Sequence, residues 1–399
     1  MDQEMFTSRA PGDLVQIRGV DPRHGEWTHV AFVPDPLPKL PPALSARTYR
    51  VVADARAALA ALDSTARRLP NPRIFRLPAL RAEAQSTSAL EGTYAPLSEI
   101  LIADEERPEN LDVREILNYV NMGDSAFRWI EEGRPISVGM LEEMQALLVR
   151  GTPGETGASG AIRSHQVVIG QRKGIPRNTP PVHAARFIPS PPGIDLRARL
   201  QDLPYWMTDS QVLEEVDPVV AAAIAHYQFE TLHPFHDGNG RIGRFLIVAH
   251  LLKQGVLLEP TLTVSPWFEA RRTEYYDHLL AVSTNGDWDA YVNFFAAGLE
   301  SSANMTHQKM LELVEARERM KEVIRNSTLR ADTAHALVDF AIAHIAFTVR
   351  LVQKEIGISY GRANVLVQQL VDLGILAPLA SNHTTRRFYA PDAFSVLVD

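Results

Sequence analysis

The feature that most restricts this chain is a polar segment, HPFHDGNGRIGR (His233 to Arg244), set between two apolar runs of helical spacing. Upstream, PVVAAAIAHYQFETL (Pro218 to Leu232) reads as a buried helix. Downstream, IGRFLIVAHLLKQG (Ile242 to Gly255) reads as another, with Gly255 as its stop. The segment between them carries two imidazoles, one carboxylate, one amide, three glycines and two guanidiniums in twelve residues. A Gly-Asn-Gly turn therefore opens onto a helix N-terminus, in an order of groups that suits a nucleotide triphosphate and its metal.

The rest of the chain is mostly helical in period. Residues 1–45 are rich in proline and polar groups, PDPLPKLPP above all, and read as an arm lying on a larger body. From Ala43 a long helix runs until Asn71-Pro72 interrupts it, and a second follows in PALRAEAQSTSALEGTYA, with Gly92 in the place of a C-terminal cap. An acidic connection leads to a further helix, and Ile136 to Gly151 gives another. Between Gly151 and Pro192 the helical period disappears. SHQVVIG (Ser164 to Gly170) and AARFIPSPP (Ala184 to Pro192) are short β-prone pieces that predict a hairpin or flap. Helices then resume from Leu196 to the long charged run ending at Asn326. After Leu329 the pattern is helix, Gly-Ile-Ser turn, a second helix capped by Ser359, and two β-prone pieces around Asn382, which predicts a helix-turn-helix with a wing.

Bulk properties narrow the function classes. The 399 residues are 45% hydrophobic, enough for substantial cores, and length alone suggests two or three domains. A net charge of −8 gives none of the basic excess that a chain wrapped on nucleic acid carries. Cysteine is absent, so disulfides, thiolate metal sites and cysteine nucleophiles are excluded. The N-terminus lacks a basic start followed by an apolar run, and no window has the length of a membrane span, so a soluble cytoplasmic protein without membrane contact is expected.

Within the central segment each group has a chemical use. Gly238 and Gly240 let the backbone approach a phosphate, and the helix start offers free N–H groups to an anion. Asp237 can place a carboxylate oxygen on Mg²⁺, which bridges few carboxylates to substrate phosphates. Arg241 and Arg244, three apart, can both reach toward phosphates, and His233 can take a proton near neutral pH. Singly, each has a plainer explanation: a structural histidine, a common turn, a solvated pair of arginines. No packing need explains them together.

The segment resembles the Fic family signature, H-x-F-x-[D/E]-G-N-[G/K]-R-x-x-R, at every fixed position: His233, Phe235, Asp237, Gly238, Asn239, Gly240, Arg241 and Arg244. GAIR (Gly160 to Arg163), the flap before IPSPP, and EYYDHL (Glu274 to Leu279) follow in the family's order. The resemblance implies a mainly α fold: a Fic-type helical core with a β-hairpin flap, an N-terminal helical segment and a C-terminal winged helix-turn-helix. It implies domains at 1–105, 106–328 and 329–399. It further implies transfer of AMP from ATP to a Ser, Thr or Tyr hydroxyl of a target protein and of the chain itself, with release of diphosphate. His233 would then be the general base, Asp237 the Mg²⁺ ligand and Phe235 an anchor of the loop. Gly238, Asn239, Gly240 and Arg241 would hold the α- and β-phosphates, with the nucleotide segment running through Ile242 and Gly243 to Arg244 on the γ-phosphate. Gly240, where kinase-like members similar to the Doc toxin carry Lys, favours AMP transfer. Tyr275 and Tyr276 are candidates for the base or ribose; adjacent helical positions point apart, so at least one belongs to the core. The flap would pin the target by strand addition.

Thr87-Ser88-Ala89-Leu90-Glu91-Gly92 resembles the family's inhibitory motif, [S/T]-x-x-x-E-[G/N], which implies that Glu91, with Thr87, competes with the γ-phosphate for Arg244. At the other end, residues 330–399 hold six basic side chains (Arg330, Arg350, Lys354, Arg362, Arg386, Arg387) against six acidic ones. That balance disfavours DNA as the partner, leaving protein contact or packing against the core as the expectation. Related proteins form dimers, so a homodimer stays open. Alternative readings are AMP removal from modified proteins and a DNA-binding regulator with a nucleotide-sensing body.

Overall fold

The computed structural model describes every residue except 69–71, 105–106, 177, 330–331, 380–385 and 399. It is mainly helical, as the period of the sequence implies. After a short 3-10 turn (Gln3–Met5), the segment expected as an arm carries an unexpected pair of strands. β1 (Gly12–Asp21) and β2 (Gly25–Pro34) form an antiparallel hairpin in unbroken register. Asp21 Oδ1 builds its turn by accepting the N–H groups of Arg23 (2.8 Å) and His24 (3.0 Å). The proline-rich run PDPLPKLPP begins only where β2 ends, and the residues before it have the period of a strand.

α1 (Ala46–Arg68), α2 (Arg76–Glu91), α3 (Leu97–Ile102), α4 (Leu111–Glu131) and α5 (Val138–Val149) come next. Gly92 closes α2 at φ 102°, the left-handed cap expected there. The flap is β3 (Ile169–Gln171) paired with β4 (Ala185–Phe187), shorter than the β-prone pieces, with the single turn α6 (Pro181–Ala184) leading into β4. α7 (Ile194–Trp206), α8 (Ser210–Glu215), α9 (Pro218–Leu232), α10 (Asn239–Lys253), α11 (Ser265–Ala270), α12 (Arg272–Asn285) and the long α13 (Trp288–Arg325) complete the body.

α9 and α10 are buried on nearly every face, because neither carries the polar stripe of a surface helix. A continuous apolar core runs from Val52 to Leu397 around them. A second small core joins the N-terminal hairpin to the flap through Ile17, Phe32, Val182, Phe187 and Ile188, and Phe32 N–H donates to the Ile188 carbonyl at 2.9 Å. The hairpin thus fixes the base of the flap.

α2 is clamped along its length. Glu83, fully enclosed, accepts the N–H groups of Val264 (2.8 Å) and Ser265 (3.0 Å) and the Ser265 hydroxyl at the start of α11. Arg81 donates to the carbonyls of Ile100 (2.7 Å) and Leu101 (2.8 Å), which close α3. The last turn of α2 is thereby aimed at the start of α10.

The C-terminal part contains α14 (Asp332–His344), β5 (Ala346–Thr348), α15 (Val349–Ile356), α16 (Tyr360–Asp372), β6 (Ala377–Leu379), β7 (Arg387–Tyr389) and α17 (Pro391–Val398), with the strands ordered β5-β7-β6. Ser359 caps α16 by accepting from Arg362 N–H at 3.3 Å. The two β-prone pieces expected around Asn382 are β6 and β7, paired antiparallel, and residues 380–385 between them lie outside the described residues. Among the described residues no helix is long and apolar enough to cross a membrane.

Candidate active site

α9 ends at His233 because Pro234 cannot extend it and the residue before a proline avoids the helical region. His233 adopts φ 48°, ψ 61°, a left-handed conformation that is strained for any residue but glycine. Arg163 holds it there. Its guanidinium donates to the carbonyls of His233 (2.8 Å), His165 (3.1 Å) and Leu232 (3.3 Å) and to that of Ser190. Its own N–H donates to the Pro234 carbonyl at 2.9 Å. In the sequence Arg163 is only the last letter of GAIR; in the structure its fork of donors binds a whole loop.

Inside the loop, Phe235 is fully buried as expected of an anchor. Asn239 accepts the Phe235 N–H and donates to the Phe235 carbonyl, both at 2.8 Å. The side chain thereby pins the loop with its oxygen and one of its two amide N–H groups. Gly238, at φ 86°, is the N-cap of α10, and the first N–H groups of that helix are free of intrahelical partners.

The first turn of α10 carries both arginines, each buried and each facing a different wall. Arg241 Nη1 bonds Glu115 Oε1 of α4 at 2.6 Å, and Nη2 bonds Asp237 Oδ1 at 3.0 Å. Arg244 Nε donates to Thr87 Oγ1 (2.7 Å), and Nη2 donates to the Thr87 carbonyl (3.0 Å) and to Glu91 Oε1 (2.6 Å). Arg244 is fully enclosed while the Glu91 side chain keeps 32% exposure, so the ion pair sits at the cavity mouth. A Cβ on Gly240 would collide with Glu91 Oε1 and lie 2.9 Å from Arg244 Nη1. The Glu91 carboxylate therefore rests directly on the helix start, where an anion is favoured.

A cavity of about 260 Å³ opens beside this pair, lined by Glu91, Glu230, His233, Gly240, Tyr276 and the flap residues Ile169 and Phe187, among others. Of the remaining candidates, Tyr276 lines it. Tyr275 does not: it is wholly buried, stacks on Phe268, and its hydroxyl meets His226 Nε2 at 2.7 Å. Ile242 is likewise a core side chain, and Gly243 turns away from the cradle, its carbonyl taken by His226 Nδ1 at 3.0 Å. These are corrections with one cause: successive helical positions point about 100° apart, so a contiguous motif cannot all face one ligand.

Electrostatics complete the arrangement. Burial, reinforced by the charge of Arg163, pushes the His233 imidazole down to about 4, and its Nδ1 has no hydrogen-bond partner. It is neutral at pH 7 and able to accept a proton. Burial pushes Glu91 up, but the attraction of Arg244, then of Arg241 and His233, outweighs it and the carboxyl ends below its ordinary value. Burial pushes Glu230 up to about 8.

Comparison with known proteins is consistent with this geometry. Residues 49–128 match the profile described as Fic/DOC family N-terminal, and residues 135–251 match that of the Fic/DOC family. The protein adenylyltransferase fic-1 of Caenorhabditis elegans is 32% identical over 146 residues, covering 35% of this chain and 27% of the relative. The fic-1 protein of Caenorhabditis briggsae is 31% identical over 199 residues, 48% of this chain and 33% of the relative. The chain thus spans about a third or less of the length of these curated relatives. A crystal structure of a Fic family protein from Desulfovibrio desulfuricans G20 covers 88% of this chain and 98% of its own, with a TM-score of 0.54 at 21% identity, which establishes the shared fold.

Proposed function

Because the chain belongs to the Fic/DOC family through both matched segments, we propose that it is an autoinhibited protein adenylyltransferase of the cytoplasm. It transfers AMP from ATP to a Ser, Thr or Tyr hydroxyl of a target protein and of itself. The observation that carries this reading is the Glu91 carboxylate lying on the Gly240 turn with its oxygen on Arg244. A carboxylate held where an anion belongs is a competitor for that place.

With Glu91 displaced, the free N–H groups of Gly240 and its neighbours take the α- and β-phosphates, and Arg244 takes the γ-phosphate. Neutral His233 removes the proton of the incoming hydroxyl as its oxygen attacks the α-phosphorus; the bond to the β-phosphate oxygen breaks and diphosphate leaves. Arg163, which grips the loop by its carbonyls, positions His233 without touching substrate. Tyr276 and the flap side of the cavity receive the nucleoside.

Magnesium belongs to the same reading. Asp237 presents a partly exposed carboxylate whose Oδ1 is oriented by Gly238 N–H (2.6 Å) and Arg241, and whose Oδ2 faces Gly154, where a side chain would collide. A single carboxylate suits Mg²⁺, so Asp237 would hold the ion, which would neutralise phosphate charge.

Residues 329–399 take the place of a winged helix in this reading, with a protein rather than DNA as partner. Arg387, one of the six basic side chains counted in this region, donates to the carbonyls of Ile102 (2.6 Å) and Ala103 (3.3 Å) at the end of α3. The test of the whole reading is labelling from α-labelled ATP and Mg²⁺: the Glu91→Gly chain should label itself or a target. Label at background in that variant would overturn the reading.

A further inference from the structure

Glu230, one helical turn before His233 on α9, carries no role in the arrangement described so far. Its carboxyl lines the nucleotide cavity beside Glu91, His233 and Gly240. Its Oε1 is closed off from solvent and has no hydrogen-bond partner. It also lies flush against α10: a Cβ on Gly243 would collide with Oε1, so Gly243 is the residue that makes room for it. A buried carboxyl oxygen left without a partner is costliest when ionised, so this position favours the neutral acid, while Glu230 still lines the cavity where a ligand arrives.

We propose that Glu230 serves the nucleotide as a neutral carboxylic acid, donating a hydrogen bond from its O–H to an oxygen of the bound polyphosphate. This rests on the nucleotide reading above. An ionised carboxylate in the same place would repel the ligand, so the proton on Glu230 is part of the site. Burial favours that protonated form at neutral pH; Arg244 opposes it and Glu91 supports it. The other charged or titratable groups lining the cavity are His233, neutral at this pH, Arg272 and Tyr276 on α12, and Arg186 on the flap. Deep in the core, Tyr275 and Tyr291 feel the carboxyl and stay protonated. Arrival of the polyphosphate adds negative charge and strengthens the hold on the proton.

The consequence is a loss of nucleotide affinity on the alkaline side that is independent of catalysis. The experiment is equilibrium binding of ATP with Mg²⁺ to the Glu91→Gly chain between pH 5.5 and 9.5, beside Glu91→Gly/Glu230→Gln, whose amide is a permanent neutral donor. The range extends on the acid side because removing Glu91 takes away a charge that supports the Glu230 proton. The expected Kd of the first rises about tenfold per pH unit above its midpoint, as one retained proton requires. The double variant holds its pH 7 affinity within about threefold across the range, because an amide loses no proton there. Adenosine, lacking phosphate, should bind the first chain without the alkaline loss. A flat profile with Glu230 present overturns the role of Glu230 while leaving ATP binding standing. Absence of ATP binding at pH 7 overturns the nucleotide reading itself. Because the first chain keeps Glu230 unchanged, its profile decides the matter even if the Gln variant folds poorly.

Discussion

The two arginines on the first turn of α10 are equally buried, yet the walls that hold them differ in kind. Arg241 is held from α4, where Glu115 sits one turn inside a long helix and takes a second bond from Thr93 at 2.9 Å. Arg244 is held from α2, where Glu91 is the last residue before a left-handed glycine. A carboxylate on the last, partly exposed residue of a helix can swing away by rotating its own side chain. One inside a continuous helix cannot move without its neighbours. On the proposed reading the α4 wall is scaffold and the Glu91 end of α2 is a gate, while Glu83 and Arg81 pin the rest of α2.

That contrast can be broken experimentally, starting with the largest effect. In a Glu91→Gly background, His233→Ala should lower AMP transfer by about 10²–10⁴-fold, the usual contribution of a positioned base, with ATP affinity little changed. Equal loss of binding and rate would make His233 structural rather than catalytic. Next, Gly240→Ala places a methyl where Glu91 Oε1 lies, so it should displace the carboxylate while also crowding the phosphates that Gly240 admits and lowering transfer. Adding Glu91→Gly to it should change transfer by less than about threefold, since the two substitutions remove one interaction. Full additivity would show that the carboxylate does not rest on Gly240.

On the scaffold side, Glu115→Gln should cost about 1–3 kcal/mol in unfolding free energy, the range for a charge-assisted bond at a buried partner. The fold-increase caused by Glu91→Gly should be the same in its presence. The smallest effect concerns His250 of α10, whose two ring nitrogens lack partners and which burial pushes down to about 4. The unfolded chain binds this proton below about 6.5, so stability present above that value is lost as pH falls toward 4. His250→Leu should flatten that acid limb in thermal melts at pH 4.5–6.5, and leave labelling at pH 7.5 as it was.

The legibility of the sequence divides along the same line. The His233–Arg244 and Thr87–Gly92 segments can be found because their chemistry is compressed into contiguous motifs. Their pairing of Glu91 with Arg244 is realised at 2.6 Å. Glu115, Glu83 and Arg163 are not legible as partners, since each meets its contact across a long separation and looks like an ordinary charged residue in its own helix or loop. Tyr275 and Tyr276 cannot be told apart without knowing which face of α12 meets His226. The N-terminal hairpin escapes for a different reason. Its alternation is in the sequence, but the prolines after it set the tone of the segment.

The gate is tested most directly by comparing incorporation from α-labelled ATP with Mg²⁺ between the unmodified chain and Glu91→Gly at matched concentration and pH 7.5. Removing a buried charge-assisted contact worth about 1.5–3 kcal/mol predicts a rise of roughly 10–100-fold, abolished by His233→Ala. Equal incorporation by the two chains would contradict the claim that Glu91 holds Arg244 against the nucleotide.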